Sequence, residues 1–389
     1  MSSPLQQAIR DRIRAEGPIP FRDYMELALY HPRHGYYTAG DPPMGRGGDF
    51  ITAPEISPFF GRVIGRQLTE MWEQLERPDR FDIIEFGPGR GLLARAVMDA
   101  LTAGPLADRL VYHLVEISPN LRDHQRESLA GLPLTVYPDP AEAIPGSYGW
   151  SAAEALQSGL TGVVLSNEFL DALPVHRLIH KDGRPWELYV AEAPADDGPF
   201  CWHYGPLSDP RLEDWVARHI TRQGVTLEEG QLFEVNLAAA DWLKAVDRLL
   251  ARGFVLTVDY GHPVERLYSP ERYEGTLVCY RRHQADADPL EDVGEKDMTA
   301  HLDFTSLQSV ASELGWQNLG LTSQMWFLAH WLRPEDLQTG PSMTVEDFRR
   351  HQALKKVLLP GGMGEIFKVL IQSKDLPPLP LTGLGATGR

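Results

Sequence analysis

The chain has 389 residues, of which 43% are hydrophobic and 23% are charged, and this ordinary balance excludes a mainly disordered protein. Its 37 lysines and arginines against 54 aspartates and glutamates give a formal net charge of −17, which argues against a nucleic-acid partner, since phosphate binding needs a basic surface. Two cysteines exclude a disulfide framework and fit a reducing cytoplasm, where we expect the protein to be located. No apolar run is long enough to span a membrane.

Residues 1–75 predict an N-terminal helical cap that includes a glycine-rich loop. Arginines and acids are mixed in the first 17 residues, which favours a first helix over a signal or transit peptide. Helical periodicity runs over residues 5–31 with a break at 17–20, and another helix is expected at 59–75. A long glycine-rich loop, here at 40–48, is more often a functional lid than a plain connector, so we predict a lid.

Residues 76–175 predict the first part of a Rossmann-like core. Short apolar runs alternate with helical patterns in this segment, as is typical of a parallel, doubly wound α/β sheet. The predicted strands are 81–86, 110–116, 134–137 and 163–166, and the predicted helices are 92–101 and 119–130.

The alternation stops after residue 174, and residues 176–240 predict an inserted α+β subdomain after the fourth strand. Two strand-like runs flank Asp182-Gly183, a dipeptide that is typical of a β-hairpin. The core is expected to resume over 241–374, and the proline- and glycine-rich residues 375–389 predict a flexible tail. Within the resumed core, strands are expected at 254–259, 319–322 and 366–371, and a helix at 304–314.

The sharpest local motif is EFGPGRG at residues 85–91, a strand that runs into a glycine turn and a helix. Glycines let a backbone approach a ligand closely, and a helix N-terminus offers free N–H donors. No GK[ST] follows, which excludes a P-loop, and the spacing is G-x-G-x-G instead of the dinucleotide fingerprint. Because the carboxylate of Glu85 disfavours a pyrophosphate, the motif favours a cationic, amine-bearing ligand such as S-adenosylmethionine. A plain tight turn is the alternative.

A second acidic residue, Glu116, ends the next predicted strand, where a carboxylate is placed to accept hydrogen bonds from ribose hydroxyls. Strand, glycines, helix, strand and acid in this order favour a nucleoside-type cofactor. Asp139 follows the third strand, where it is placed to meet an adenine amino group. Asp139-Pro140 is equally typical of a plain turn.

Seven blocks of the chain carry a family resemblance. They are GDFITAPE at 48–55, EFGPGRG at 85–91, VEISP at 115–119, SNEFLDALP at 166–174, DYG at 259–261, DMTAHLDF at 297–304 and MGEIFKVL at 363–370. In this order they resemble the MidA-type class I S-adenosylmethionine-dependent methyltransferases, relatives of the mitochondrial complex I assembly-factor protein arginine methyltransferase. The resemblance covers residues 20–370, nearly the whole chain.

The resemblance implies a Rossmann-like sheet with an antiparallel edge hairpin, an N-terminal helical cap and an insertion. It implies that S-adenosyl-L-methionine is the cofactor, with its methionine part held by Gly87, Gly89 and Gly91 and its ribose held by Glu116. Ile117, in the same block as Glu116, joins the predicted cofactor-binding residues. The segment that begins at Asp139 departs from the family's adenine-contact segment.

The predicted fourth strand ends in Ser166-Asn167-Glu168-Phe169-Leu170-Asp171, at the sheet edge where open α/β folds bind ligands. A guanidinium with its pKa above 12 is a poor nucleophile, and the two carboxylates Glu168 and Asp171 are suited to orient it and remove a proton. If a helix begins here, their spacing puts them on one face. The alternative is that Asn167 caps this helix and the acids favour its dipole. Asn167 is also suited to accept a hydrogen bond from an amine.

The predicted lid adds Asp49, Phe50, Thr52 and Glu55 as candidate lid or substrate contacts. Phe50 and Phe169 are placed to face a sulfonium, although core packing is the commoner role of such rings. No histidine or cysteine spacing indicates a metal site, and no metal is expected.

Three functions are compatible with these observations. The first is a protein arginine methyltransferase that acts on a partner protein, by resemblance a respiratory-complex subunit. The second is a small-molecule N- or O-methyltransferase with the insertion as its substrate lid. The third is a cofactor-binding assembly factor with vestigial catalysis. Apolar residues of the insertion suit a substrate or a homodimer interface.

Overall fold

The structure is a computed structural model that describes residues 3–40, 53–138, 159–194, 198–281, 284–286, 288–337, 345–359 and 363–385. The strands in the described residues are β1 (Ile19–Pro20), β2 (Phe81–Phe86), β3 (Leu110–Glu116), β4 (Leu134–Pro138), β5 (Leu160–Asn167), β6 (His176–Lys181), β7 (Arg184–Glu192), β8 (Phe200–Gly205), β9 (Leu232–Val235), β10 (Leu250–His262), β11 (Val278–Arg281), β12 (Gln284–Asp286), β13 (Asp297–Thr299), β14 (Leu302–Asp303), β15 (Gln317–Ser323) and β16 (Phe367–Lys374).

The α-helices of the same residues are α1 (Pro4–Glu16), α2 (Phe21–Tyr30), α3 (Ala53–Ile56), α4 (Pro58–Gln74), α5 (Leu92–Leu101), α6 (Pro119–Ser128), α7 (Arg211–His219), α8 (Leu237–Leu249), α9 (Val264–Leu267), α10 (Phe304–Glu313), α11 (Gln324–His330), α12 (Pro334–Leu337), α13 (Val345–Leu358) and α14 (Met363–Ile366). Short 3-10 turns lie at Thr221–Gln223, Pro270–Arg272 and Thr382–Leu384. None of the helices described is both long and apolar enough to cross a membrane.

The chain divides into two compact units. The core unit consists of residues 51–169, 242–260 and 310–389, and the composite unit consists of residues 1–50, 170–241 and 261–309. Each unit has a hydrophobic cluster of its own.

The core unit contains a mixed sheet in the order β15-β16-β10-β5-β2-β3-β4. Strands β10, β5, β2, β3 and β4 are mutually parallel, while β16 runs antiparallel to both β10 and β15. All six residues of β2 are buried, as expected for a strand covered by helices on both faces. The predicted Rossmann-like sheet with an antiparallel edge hairpin is confirmed.

Local sequence signals set the element bounds of the core unit closely. The predicted helix 92–101 and the predicted strands 81–86 and 110–116 have the same bounds in the structure. Helix α4 begins where Ser57 caps it, since the Ser57 side chain accepts a hydrogen bond from the N–H of Phe59. Capping residues and continuous apolar runs act over a few residues, which is why they can be read from the sequence.

The composite unit contains helices α1 and α2, a sheet in the order β1-β7-β6-β9 with β8 on β7, and a small sheet β12-β11-β13. The insertion after the fourth strand of the core sheet is confirmed, and so is its hairpin. Asp182 and Gly183 both have positive φ, at 54° and 72°, as a two-residue type I′ turn between β6 and β7 requires.

The composite unit also departs from the segment boundaries that the sequence predicts. Ile19 of β1 pairs with Val190 of β7, so the N-terminal segment joins the sheet of the insertion. Residues 261–309, assigned by sequence to the resumed core, belong to the composite unit as well. The sequence boundaries differ from the structural ones because segments far apart in the chain are joined by tertiary contacts. These contacts are the pairing of the two-residue strand β1 with β7 and a shared apolar core.

The C-terminal residues 375–385 are packed, so the predicted flexible tail is wrong for this stretch. Leu381 is fully buried in the cluster of the core unit. The N–H and the hydroxyl of Thr382 both donate hydrogen bonds to the carboxylate of Glu70 on α4. Proline and glycine here mark an irregular chain that is nevertheless anchored. Residues 386–389 lie outside the described residues.

Candidate active site

Three neighbouring strands of the core unit end at one edge of the sheet. Strands β2, β3 and β5 are parallel, and they finish at Phe86, Glu116 and Asn167. Ligands of open α/β sheets bind at this carboxyl edge. The strand order therefore brings the predicted site residues Glu85, Glu116 and Asn167 to the same edge.

The glycine turn after β2 adopts backbone conformations that favour glycine. Gly87, Gly89 and Gly91 have φ of 63°, 53° and 76°. A Cβ on Gly87 would lie 2.7 Å from Cδ2 of Phe169, closer than real Cβ atoms approach a ring. The turn therefore needs glycine at position 87 for its conformation and its packing, and Gly91 leaves the backbone bare at the start of α5.

Glu116, at the end of β3, is a buried carboxylate held by backbone donors. Its Oε1 accepts a hydrogen bond of 2.8 Å from the N–H of Ser118, and the nearby N–H of Gly89 also favours the charged form. Burial raises the pKa of Glu116 to about 7 in spite of these donors. Arg122 donates hydrogen bonds to the carbonyl oxygens of Glu116 and Ile117, which fixes the turn between β3 and α6.

Glu85 is the second buried carboxyl group of this edge. It accepts a 2.7 Å hydrogen bond from the hydroxyl of Tyr112 on the neighbouring strand. Burial raises the pKa of Glu85 to about 7, and the charge of Glu116 contributes to the increase. Two buried carboxyl groups that disfavour each other's charge are suited to a ligand that brings a positive charge.

Glu168 follows β5 in a turn. Its φ is 51°, in the left-handed region, and its N–H donates a 2.9 Å hydrogen bond to the carbonyl oxygen of Val258 on β10. Within the described ranges, three groups donate to its carboxylate, which is half-buried. Oε1 accepts from the N–H of Ala53 at 3.4 Å and from Nδ2 of Asn167 at 3.2 Å, while Oε2 accepts from the hydroxyl of Tyr260 at 3.3 Å.

Asn167 contributes a buried acceptor beside this carboxylate. Its Nδ2 donates to Glu168, but its Oδ1 has no hydrogen-bond partner among the described residues. A buried polar atom without a partner is costly, and native proteins retain few of them. A ligand N–H at this edge would satisfy it.

The helix that would place Glu168 and Asp171 on one face is absent from this described segment, so that prediction is wrong, and so is the alternative in which Asn167 caps it. Residues 168–173 form turns, because the left-handed backbone of Glu168 is incompatible with a helical start. Asp171 belongs to the composite unit, where it is buried and its carbonyl oxygen accepts a hydrogen bond from Ala300.

The remaining predicted site residues are distributed as follows. Asp49, Phe50, Thr52 and Asp139 lie outside the described residues. Glu55 is half-buried in the short helix α3. Phe169 lies in an aromatic cluster, with ring centroids 5.8 Å from Phe86 and 6.1 Å from Trp242.

Sequence reasoning assigned no role to three residues that hold the site together. Tyr112 bonds to Glu85, Tyr260 bonds to Glu168, and Nε2 of Gln125 donates a 2.6 Å hydrogen bond to the carbonyl oxygen of Gly89. Tyr260 lies in the DYG block of the family resemblance, which was a usable signal. Tyr112 and Gln125 lie inside an ordinary strand and helix, where no sequence signal marks them.

The mixed sheet and the acidic glycine turn at its edge define a Rossmann-like α/β protein with a site suited to a nucleoside-type cofactor. The sequence profile of a family described as S-adenosyl-L-methionine-dependent methyltransferases matches residues 63–322. The chain belongs to this family, and it is a methyltransferase with S-adenosyl-L-methionine as its cofactor.

Several curated relatives align with most of the chain. The Drosophila melanogaster protein named protein arginine methyltransferase NDUFAF7 homolog, mitochondrial, is 31% identical over 323 residues, which cover 80% of this chain and 70% of the relative. The Caenorhabditis elegans protein of the same name is 32% identical, covering 79% and 72%. The Homo sapiens protein arginine methyltransferase NDUFAF7, mitochondrial, is 29% identical, covering 79% and 69%.

Two crystal structures from Burkholderia thailandensis are similar over nearly their whole length. One was solved with bound S-adenosyl-homocysteine, with a TM-score of 0.81, 30% identity and coverage of 98% of this chain and 97% of that one. The other is a native structure with a TM-score of 0.82, 30% identity and coverage of 100% and 98%.

The relatives' names correct one prediction. They are named as mitochondrial proteins, which contradicts the cytoplasmic location expected from the cysteine content. That prediction is wrong, because two cysteines in a chain of this length indicate only a reducing environment, and a reducing environment is not specific to one compartment.

Proposed function

We propose that this protein transfers the methyl group of S-adenosylmethionine to an arginine side chain of a partner protein. The names of the relatives support arginine as the acceptor. A subunit of a respiratory complex is the partner that the family resemblance favours. The observation that carries the proposal is the carboxylate of Glu168 at the sheet edge, which accepts hydrogen bonds from three donors of the described part of the chain and has the buried acceptor Oδ1 of Asn167 beside it.

The residues at this edge fit the cofactor. Gly87, Gly89 and Gly91 leave a bare backbone where the methionine part would lie. Glu116 and its neighbour Ile117 would hold the ribose, and the buried acid Glu85 favours a cationic ligand over a phosphate. When bound, S-adenosylmethionine supplies a methyl group on a sulfonium.

Glu168 then prepares the acceptor. A guanidinium is protonated at neutral pH and must lose a proton as its nitrogen gains a methyl group. The carboxylate of Glu168 accepts guanidinium N–H bonds, orients one nitrogen and receives that proton. Oδ1 of Asn167 accepts a further N–H. Asp171 is a second candidate carboxylate, and its own substitution, Asp171→Asn, tests it.

The test is labelled-methyl transfer with purified protein. Wild-type protein is first titrated calorimetrically with S-adenosylmethionine and then incubated with methyl-labelled cofactor and lysate from a deletion strain. The labelled methyl group is expected on an arginine side chain of a protein in the lysate. Glu168→Gln should reduce the rate about 10²- to 10³-fold while cofactor affinity persists, since general-base catalysis contributes on this order. The matched control is Glu127→Gln, at an exposed position of α6.

Other outcomes identify the alternatives. Label found only in small molecules would contradict the proposal and favour a small-molecule N- or O-methyltransferase. Full complementation of a deletion strain by Glu168→Gln would favour an assembly factor with vestigial catalysis. The apolar residues of the insertion suit a substrate or a homodimer interface, and sedimentation of the purified protein tests the homodimer.

A further inference from the structure

Glu168 and Tyr260 come from the carboxyl ends of two adjacent strands. In the ladder between β5 and β10, Asn167 lies opposite Val258, and the N–H of Glu168 extends the pattern by donating to the carbonyl oxygen of Val258. Tyr260 follows two residues later on β10, and its hydroxyl reaches Oε2 of Glu168 at 3.3 Å. The register of the sheet therefore sets the distance between these two side chains.

A second strand fixes the tyrosine ring. Tyr260 lies directly opposite Phe367 in the antiparallel ladder between β10 and β16. The two rings have centroids 4.2 Å apart at an interplanar angle of 38°. Directly opposed residues on one face of a sheet are close neighbours, so Phe367 restricts where the Tyr260 hydroxyl can lie.

The other carboxylate oxygen is held independently. Oε1 of Glu168 accepts from Ala53 and Asn167, whereas Oε2 accepts from Tyr260. The left-handed backbone of Glu168 gives its side chain an unusual starting direction, and the hydrogen bond from Tyr260 to Oε2 restricts the rotation of the carboxylate. Methyl transfer needs the acceptor aligned with the carbon and the sulfur, and small displacements of an aligning group are costly.

We propose that Tyr260 is a positioning residue, whose hydroxyl fixes the carboxylate plane of Glu168 and thereby the direction in which the acceptor nitrogen is presented. This inference rests on the proposed function of Glu168. Donor distances at catalytic carboxylates in ligand-free sites are often long and tighten when the acceptor binds, so 3.3 Å is compatible with this role.

The test is Tyr260→Phe, which removes the hydroxyl and keeps the ring on Phe367. We expect kcat to fall about 10- to 30-fold, while the KM and the Kd for S-adenosylmethionine stay within about twofold, as for an interaction that acts on the reacting geometry. The matched control is Tyr189→Phe, which removes a hydroxyl that donates to the carbonyl oxygen of Pro206 in the composite unit. Unchanged kcat in Tyr260→Phe overturns the proposal, and so does an equal loss of cofactor binding.

A second readout separates this proposal from the proposed function. The side-chain carboxyl of Glu168 is followed by carbon NMR in labelled protein and assigned with Glu168→Gln. Loss of the Tyr260 hydroxyl should move its titration midpoint upward, because a donor to the charged form has been removed. An unchanged midpoint overturns the positioning role. An upward shift supports it even if the wild-type protein methylates no protein.

Discussion

The two compact units differ in how their buried carboxylates are paired. In the composite unit, Glu187 is fully buried and paired at both oxygens: with Nδ1 of His176 at 2.8 Å, and with the N–H and the hydroxyl of Ser208. In the core unit, burial raises the pKa values of Glu85 and Glu116 to about 7 despite their donors.

This difference is the one expected between a carboxylate that stabilises the fold and a carboxylate that binds a ligand. A buried acid with several hydrogen-bond partners stabilises the fold, since removal would leave those partners unsatisfied. A buried acid with a raised pKa is unfavourable in the empty protein when it is charged, and a bound cation reverses that cost. We therefore expect a bound cation to favour the charged forms of Glu85 and Glu116 in the core unit, whereas the buried pair of the composite unit contributes to folding.

The largest expected effect is on the structural carboxylate. Glu187→Ala should lower the free energy of unfolding by about 3–5 kcal/mol, since it breaks a buried pair and leaves Ser208 and His176 without their acceptor. Urea unfolding followed by circular dichroism measures it. The control is Glu192→Ala on the same strand, whose ion pair with Arg14 is exposed, and little change is expected there. Equal losses in the two variants would contradict the comparison.

Two glycines with positive φ, one in each unit, give the next effect. Gly87→Ala should cost about 3 kcal/mol, because backbone strain adds to a clash with Phe169, and it should also weaken cofactor binding. Gly183→Ala in the hairpin has open space around its Cβ and should cost only about 1 kcal/mol of strain. Thermal unfolding and cofactor titration of both variants measure the difference. A Gly183→Ala loss as large as that of Gly87→Ala would show that strain alone explains both.

The smallest predicted effect is the pH dependence of cofactor affinity. With carboxyl pKa values of about 7, Glu85 and Glu116 are mostly ionised at pH 8 and mostly protonated at pH 6. A cation prefers the ionised form, so the affinity for S-adenosylmethionine should fall about tenfold from pH 8 to pH 6, with proton release on binding near pH 7. Calorimetry in buffers of different ionisation enthalpy measures both the affinity and the number of protons released.

The same pKa shifts predict how the free energy of unfolding depends on pH when no cofactor is added. Both groups have folded-state pKa values above the ordinary value of 4.5, so the folded state binds more protons between pH 4.5 and about 7. Their contribution to stability therefore falls as pH rises through this window. Glu85→Gln should weaken the pH dependence of both the cofactor affinity and the free energy of unfolding. A cofactor affinity that does not change between pH 6 and pH 8 would contradict the role of these acids.

The sequence was sufficient where the signal is local. It placed β2, the glycine turn, α5 and Glu116 because apolar runs, glycine conformations and caps act over a few residues, and it brought Glu85 and Glu168 to the same sheet edge because parallel strands end together. It did not predict the turn at Glu168, since the left-handed conformation there is held by a hydrogen bond to β10.

By itself, therefore, the sequence determined the Rossmann-like core, its insertion and the acidic glycine turn. Only the tertiary structure decided that the N-terminal helices, the insertion and residues 261–309 share one unit, and that Tyr260 holds Glu168. The physical reason is that both features depend on contacts between residues far apart in the chain. Ile19 pairs with Val190, and the hydroxyl of Tyr260 on β10 donates to Glu168 at the end of the adjacent strand β5. Local patterns carry no information about such contacts.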